Sequence, residues 1–317
     1  MVIFLYRTLI LIILFLLTSC IEDPVKTRID DNYITSITKS DAYLFASTSS
    51  GQIFRSLDGE NWTMLDVNNT ILLLDIDANS NGTVVASGEN GVVFTSTNNG
   101  GKWSKKATGK SSFLKEIVIF DDSTFFAAGK SGVLIKTSDC GETWSTISTP
   151  FNTQVSKLTL IDNTIYIGLR SNTENSPLLY KYDIELDIIS SIDIEIESFI
   201  LDIQEINNQI YFTDYSGCYK LINNSGYSKE LVYEINNGFI AQKILDYEGN
   251  IALVGYSGFN LGKIITGIPI NPKTKEFEES LYFNSGIVFS NKLIACGGDE
   301  FELAVLQNSS WNIFKLK

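Results

Sequence analysis

The sequence contains no histidine. That single absence removes Ser-His-Asp and Cys-His nucleophile systems, imidazole acid-base chemistry and every His-ligated metal site. Arginine is nearly as scarce, with only Arg7, Arg28, Arg55 and Arg170 in the chain. The four cysteines form no CxxC pair, which excludes zinc-ribbon and dithiol redox motifs. Basic residues are outnumbered, 24 against 37, and the net charge of −13 argues against a nucleic-acid partner, because phosphate neutralisation needs a surplus of Lys and Arg. Neither a metal nor a cofactor is expected, and any catalysis would rest on carboxylates, Tyr, Lys or Cys. What is present is apolar material: 44% hydrophobic and 19% charged residues over 317 positions, with 5 prolines, describe a globular chain able to bury a large core.

The longest apolar run lies at the start. Residues 1–19 carry one charged side chain, Arg7, followed by an apolar stretch from Leu9 to Leu17. That stretch is shorter than the roughly 20 residues a spanning helix needs and fits the core of a signal peptide. It ends in Leu17-Thr18-Ser19-Cys20, which resembles the lipobox of bacterial lipoproteins. The resemblance implies cleavage before Cys20 and lipidation of that cysteine, leaving 23 basic residues against 37 acidic on the mature chain. The domain reading is therefore an export signal over 1–19, a lipidated Cys and polar tether over 20–32, and one folded domain over 33–317. The expected location is the bacterial cell envelope, at the outer membrane or cell surface, with the lipid as the membrane contact. The remaining thiols, Cys140, Cys218 and Cys296, are expected to stay separate.

The domain is repetitive. Trp62, Trp103 and Trp144 stand 41 residues apart, each closing a similar segment, and Trp311 falls in the same slot of a later copy. Upstream lie strand-like runs ending at 46, 86 and 127, and weaker copies end at 167, 212, 253 and 295. Five residues after each anchor come Gly51, Gly91, Gly132, Asn172, Gly217, Gly258 and Glu300. Gly or Asn in six of seven copies points to a tight turn needing positive φ. Each copy reads as four short strands; in the third these are 114–120, 124–129, 133–136 and 144–147. Four-stranded units of 40 to 45 residues repeated around an axis make a β-propeller. The fold expected is all-β with seven blades, six or eight being the alternatives.

The segments before the tryptophans explain their own composition. Thr137, Asp139, Gly141 and Trp144 fit the pattern S/T-x-D-x-G-x-x-W; Ser96, Asn98, Gly100 and Trp103 fit it with Asn for Asp; Ser56, Asp58, Gly59 and Trp62 fit it with one residue fewer. Asp or Asn accepts backbone N–H groups of its own turn, Gly takes positive φ, and Trp covers the hairpin. These segments resemble the BNR or Asp-box repeat. Among such proteins the chain is similar to the photosystem II assembly-factor-like propellers and related bacterial BNR lipoproteins. That resemblance implies a scaffold that holds a partner, through Arg-rich surfaces in the photosynthetic group, whereas here only Arg28, Arg55 and Arg170 follow the signal.

Asp-box sialidases supply the competing reading. They bring three arginines onto a substrate carboxylate and carry a Phe-Arg-Ile-Pro motif, which is absent here. A two-carboxylate glycoside hydrolase acting on extracellular glycans stays as the alternative. The favoured reading is a non-catalytic binding or assembly scaffold for a protein or glycan. Its expected binding face is the end where second-to-third-strand turns and blade connections converge, with Glu89, Lys130, Arg170, Tyr215, Tyr256, Asp299 and Glu300. Two departures from the repeat, 171–177 and 271–275, mark further candidate surface.

Overall fold

Short runs of β-branched and aromatic residues between turn residues fold as antiparallel hairpins, and 28 strands result. The computed structural model describes residues 32–170, 177–257, 261–277, 281–297 and 301–316. The segment expected to be an export signal, Cys20, Arg28, Asn172, Gly258, Asp299 and Glu300 lie outside these residues, as does the departure at 171–176.

The strands form seven sheets of four, each made of consecutive strands in simple up-and-down order. This is a seven-bladed β-propeller. The third blade shows the fit to expectation, with strands Leu114–Ile119, Phe125–Gly129, Leu134–Thr137 and Ser145–Thr146. Each sequence anchor falls in the second strand of its blade and sits opposite an equivalent first-strand residue: Ala46 faces Ile37, Ala86 faces Ile76, Ala127 faces Ile117 and Leu253 faces Ile244. The 3-10 turns Glu89–Gly91 and Lys130–Gly132 follow the second strands of blades two and three.

The buried apolar side chains form seven clusters, each shared by two successive blades. In the last, Ile294, Leu303 and Val305 of the seventh blade pack with Ile34, Leu44 and Phe54 of the first. The ring is therefore closed by the same kind of seam that joins its other blades. No strand is exchanged between the first blade and the seventh.

The expected turn register holds in the first three copies, where Gly51, Gly91 and Gly132 have φ of 83°, 64° and 68°. A Cβ at Gly91 would stand 1.9 Å from the Lys110 carbonyl oxygen, so the blade connection demands glycine there as much as the backbone does. Gly217 departs from the expectation. It opens the third strand of blade five without positive φ, because Asp214 Oδ1 accepts the N–H groups of Ser216 and Gly217 and closes the turn through a side chain.

Candidate functional site in the central channel

The first strand of every blade lines the channel, and six of the seven contain a bulge near their start. The ladder slips between Ile34 and Ser36, Leu73 and Asp75, Val155 and Lys157, Ala241 and Lys243, and Phe283 and Ser285, and across Leu114–Glu116. A bulge adds one residue and re-aims its neighbours. Here it delivers two tiers of side chains to the axis. The lower tier carries one polar residue per blade: Ser36, Asp75, Glu116, then Lys157, Asp202, Lys243 and Ser285.

These residues are bonded into a chain around the axis. Ser36 Oγ donates to Asp75 Oδ1 at 2.8 Å, and Asp75 Oδ2 accepts the N–H of Ile117 on the next blade at 2.9 Å. Lys157 Nζ lies 2.9 Å from Glu116 Oε2 and 3.8 Å from Asp202 Oδ1. Lys243 Nζ reaches Asp202 Oδ1 at 3.3 Å, while Asp202 Oδ2 accepts the Ile244 N–H at 2.8 Å. One level further in, Thr38 donates to Asp77, whose other oxygen accepts the Ile119 N–H at 2.9 Å. The carboxylates thus staple one inner strand to the next.

Burial and neighbours set their acidity. Burial pushes the Asp75 carboxyl up to about 6, and the nearby Glu116 charge adds to the rise, against the pull of Lys157. Asp77 is raised chiefly by burial as well. For Glu116, burial alone would raise the value, but Lys157 and Lys115 hold it below the ordinary range. Lys157 is raised: desolvation opposes its charge, and Glu116, Asp202 and Asp75 outweigh that cost.

Above the ring, the channel opens into a vestibule of about 260 Å³ bordered by Tyr33. Below it lies a second space of about 310 Å³ around Asp77 and Thr159. Among the described residues no cluster of three or more acids or cysteines is arranged to hold a metal.

The residues singled out from sequence lie elsewhere. Glu89, Lys130, Arg170, Tyr215 and Tyr256 stand at the ends of second strands or in the turns that follow, one each on five blades. Arg170 and Tyr215 are brought together by a residue the sequence did not flag: the Arg170 guanidinium lies 4.9 Å over Phe199, and the Tyr215 ring meets Phe199 edge-on at 5.8 Å. Lys130 stacks over Phe113 at 4.2 Å, and Tyr256 meets Tyr282 at 6.3 Å. The 3-10 turn at Glu89 is tied to the blade connection by its own N–H, which donates to the Leu72 carbonyl. Of residues 271–275, expected to mark working surface, 273–275 fall in the exposed fourth strand of blade six, Lys273–Glu276.

The tryptophan segments are turns between third and fourth strands. Asp58 Oδ1 accepts the N–H groups of Glu60 and Asn61, both at 2.8 Å, and Ser56 Oγ accepts that of Gly59 at 2.9 Å. Asn98 Oδ1 accepts from Lys102, and Ser96 Oγ accepts the Gly100 N–H at 3.0 Å. Asp139 accepts from the Thr143 side chain and N–H and from Thr137, which together hold its carboxyl down at about 2. The indoles of Trp62 and Trp144 each donate to the glycine carbonyl of their own turn, at 3.1 Å. Trp103 begins the same turn-to-strand step in blade two, and Trp311 faces Leu306 in blade seven, so the four share one slot. Arg55 is held at this end too, donating to Asn99 O at 2.7 Å and stacking on Tyr43.

The family described as photosynthesis system II assembly factor YCF48 matches residues 47–156, about a third of the chain. This chain is similar to the photosystem II assembly-factor propellers. YCF48 from Cyanidioschyzon merolae superposes with a TM-score of 0.67 at 12% identity, covering 88% of this chain and 97% of that one. A YCF48 bound to a D1 peptide gives 0.66 at 10% identity, over 90% and 93% of the two chains. The WD40 propeller domain of Doa1 scores the same 0.66 at 10% identity, over 88% and 93%. At such identities the likeness establishes the fold alone. No curated protein matches by sequence.

Proposed function

We propose that this propeller is a lipid-anchored, extracytoplasmic scaffold that holds a protein partner and performs no chemistry of its own. The observation that carries the reading is the commitment of the channel carboxylates: Asp75, Asp77, Glu116 and Asp202 each accept a backbone N–H from the next blade or a lysine. A hydrolase of the two-carboxylate kind needs one acid facing a leaving group and one facing water. These carboxylates face their own scaffold instead. The family match over residues 47–156, and the peptide held by a YCF48 of the same fold, support a protein as the partner. The surface assigned to it is the end carrying Arg170, Phe199 and Tyr215, where a cation and two rings form an exposed amphipathic group of the type enriched in interface centres. The Leu17–Cys20 motif supports the anchor.

Capture of the intact chain from detergent-solubilised envelopes, followed by mass spectrometry, tests the reading. A single stoichiometric protein partner, lost in Arg170→Ala with Phe199→Ala, is expected. Turnover of a glycoside by the purified chain, abolished by Glu116→Gln, would overturn it. Fractionation of Cys20→Ala tests the anchor separately, and a variant still held in membranes would refute lipidation at that residue.

A further inference from the structure

Apart from Lys115, which pairs with Glu116, the upper tier of the channel makes no ion pair with the ring beneath it. In the six bulged strands it consists of the inserted residues themselves: Thr35, Leu74, Lys115, Ser156, Gln242 and Asn284. Leu201 takes the same place in blade five. Six of these side chains reach the vestibule because a bulge puts them there, and bulges are over-represented beside active sites.

The lining chemistry is specific. Four of the seven positions are neutral hydrogen-bonding groups, two are leucines, and one is a lysine already directed to the Ser156 carbonyl at 2.7 Å and to Glu116 at 3.5 Å. No carboxylate belongs to this tier. The ring below supplies Asp75, Glu116 and Asp202 against Lys157 and Lys243, so with Lys115 the two tiers sum to zero charge. Neither a cation nor an anion is favoured. Ser156 Oγ is buried without a hydrogen-bond partner, although its residue borders the vestibule and is 6% exposed. At the rim, Tyr33 presents a ring 6.3 Å from Tyr282. Amides and hydroxyls for a ligand's hydroxyl groups, leucines and a tyrosine for its C–H faces, and zero net charge describe a receptor for a neutral, hydroxyl-rich ring. At about 260 Å³ the vestibule is smaller than ordinary drug-sized pockets and admits one such ring.

We propose that the vestibule binds a single neutral sugar residue, either a free hexose or the end of a glycan chain. This goes beyond the protein-scaffold reading and does not depend on it. The test is isothermal titration of the intact chain with glucose, galactose and N-acetylglucosamine, with glutamate and lysine as charged comparators. At least one hexose is expected to bind, with the affinity reduced fivefold or more in Gln242→Ala and in Asn284→Ala, variants whose thermal midpoints report that the fold is retained. A tighter trisaccharide assigns the site to a chain end; an equal or weaker one assigns it to the free sugar. Absence of hexose binding up to 50 mM, binding of the charged comparators in preference, or hexose binding unchanged in both variants would overturn the proposal. Loss of protein capture with sugar binding retained would refute the scaffold reading alone.

Discussion

Replacing Lys157 by alanine tests the physics of the ring most directly. Its ammonium sits between Glu116 Oε2 at 2.9 Å and Asp202 Oδ1 at 3.8 Å, and the two carboxylate side chains are only 10% and 1% exposed. Removing one partner of a buried ion pair costs about 3–5 kcal/mol, mostly from the charge left behind. Two features put this site at the lower end. Asp202 keeps Lys243 at 3.3 Å, and Glu116 keeps Lys115 at 3.5 Å. The expected loss is therefore about 3 kcal/mol, which in a domain of this size lowers the melting midpoint by about 6 °C. Lys39→Ala is the control: that exposed lysine only donates to the Val288 carbonyl, and its loss is worth about 0.5 kcal/mol or less.

The pH dependence has a definite sign. Glu116 is lowered and Lys157 raised in the folded state, so their contribution is complete between the ordinary carboxylate and lysine ranges. It is lost in acid, as pH falls through the depressed value of Glu116. Chemical denaturation of wild type and Lys157→Ala should show the full gap near pH 7 and a gap that shrinks progressively as pH falls below the ordinary carboxylate range. Equal costs for Lys157→Ala and Lys39→Ala, or a gap that persists unchanged in acid, would refute the assignment of the ring as an electrostatic staple.

Other outcomes follow from the same structure. Asp75 is raised to about 6 against an ordinary 3.8, so folding disfavours its charge and stability falls as pH rises between those values; Asp75→Asn should stabilise by about 1–2 kcal/mol at pH 7 and by nearly nothing at pH 3.5, read by urea midpoints. Gly91→Ala should destabilise far more than Gly109→Ala in thermal melts. Both have positive φ, but a Cβ at Gly91 meets the Lys110 carbonyl at 1.9 Å whereas at Gly109 nothing lies within 4 Å. Lys292→Ala should speed amide exchange in blades one and seven ahead of the rest, because Lys292 Nζ bridges that seam to Asp58 O at 2.9 Å and to Glu60.

The blades were legible from the sequence because their signal is local. A tryptophan at a fixed spacing, a turn glycine and an alternation of apolar residues each report on the strand that contains them, and all three recur every 41 residues or so. The channel was legible in principle by the same period. Ser36, Asp75, Glu116, Lys157, Asp202, Lys243 and Ser285 lie ten or eleven residues before their anchors, each a polar residue in the first strand of its blade. The types differ from copy to copy, so residue identity hides what position reveals. From Glu116 to Lys243 carboxylate and lysine alternate, each complementing its neighbour, and that relation exists only between copies. Phe199 was missed for another reason: it lies in a blade connection, where no period applies, and gains meaning only when Arg170 and Tyr215 are folded against it.

The same logic bears on how the circle closes. Many rings could be locked by a strand borrowed across the ends, yet here blade one is made wholly of residues 34–65 and blade seven wholly of 283–315. Closure then depends on side-chain contacts and on the backbone bond from Phe301 N–H to Asn32 O. The charged staples occupy the interior blades, where Asp75, Glu116 and Asp202 reach forward to the next strand, while the two terminal blades present only serine to the ring. Their seam is held from outside the channel by Lys39 on Val288 O, Lys292 on Asp58 O and the Phe301 N–H on Asn32 O, over the apolar cluster around Ile294 and Phe54. A serine on each side leaves no buried charge waiting for a partner before the ends meet. The ring of charge can therefore be completed within a contiguous run of blades, and the last seam is left to apolar packing, a few hydrogen bonds and the Lys292–Glu60 pair outside the channel.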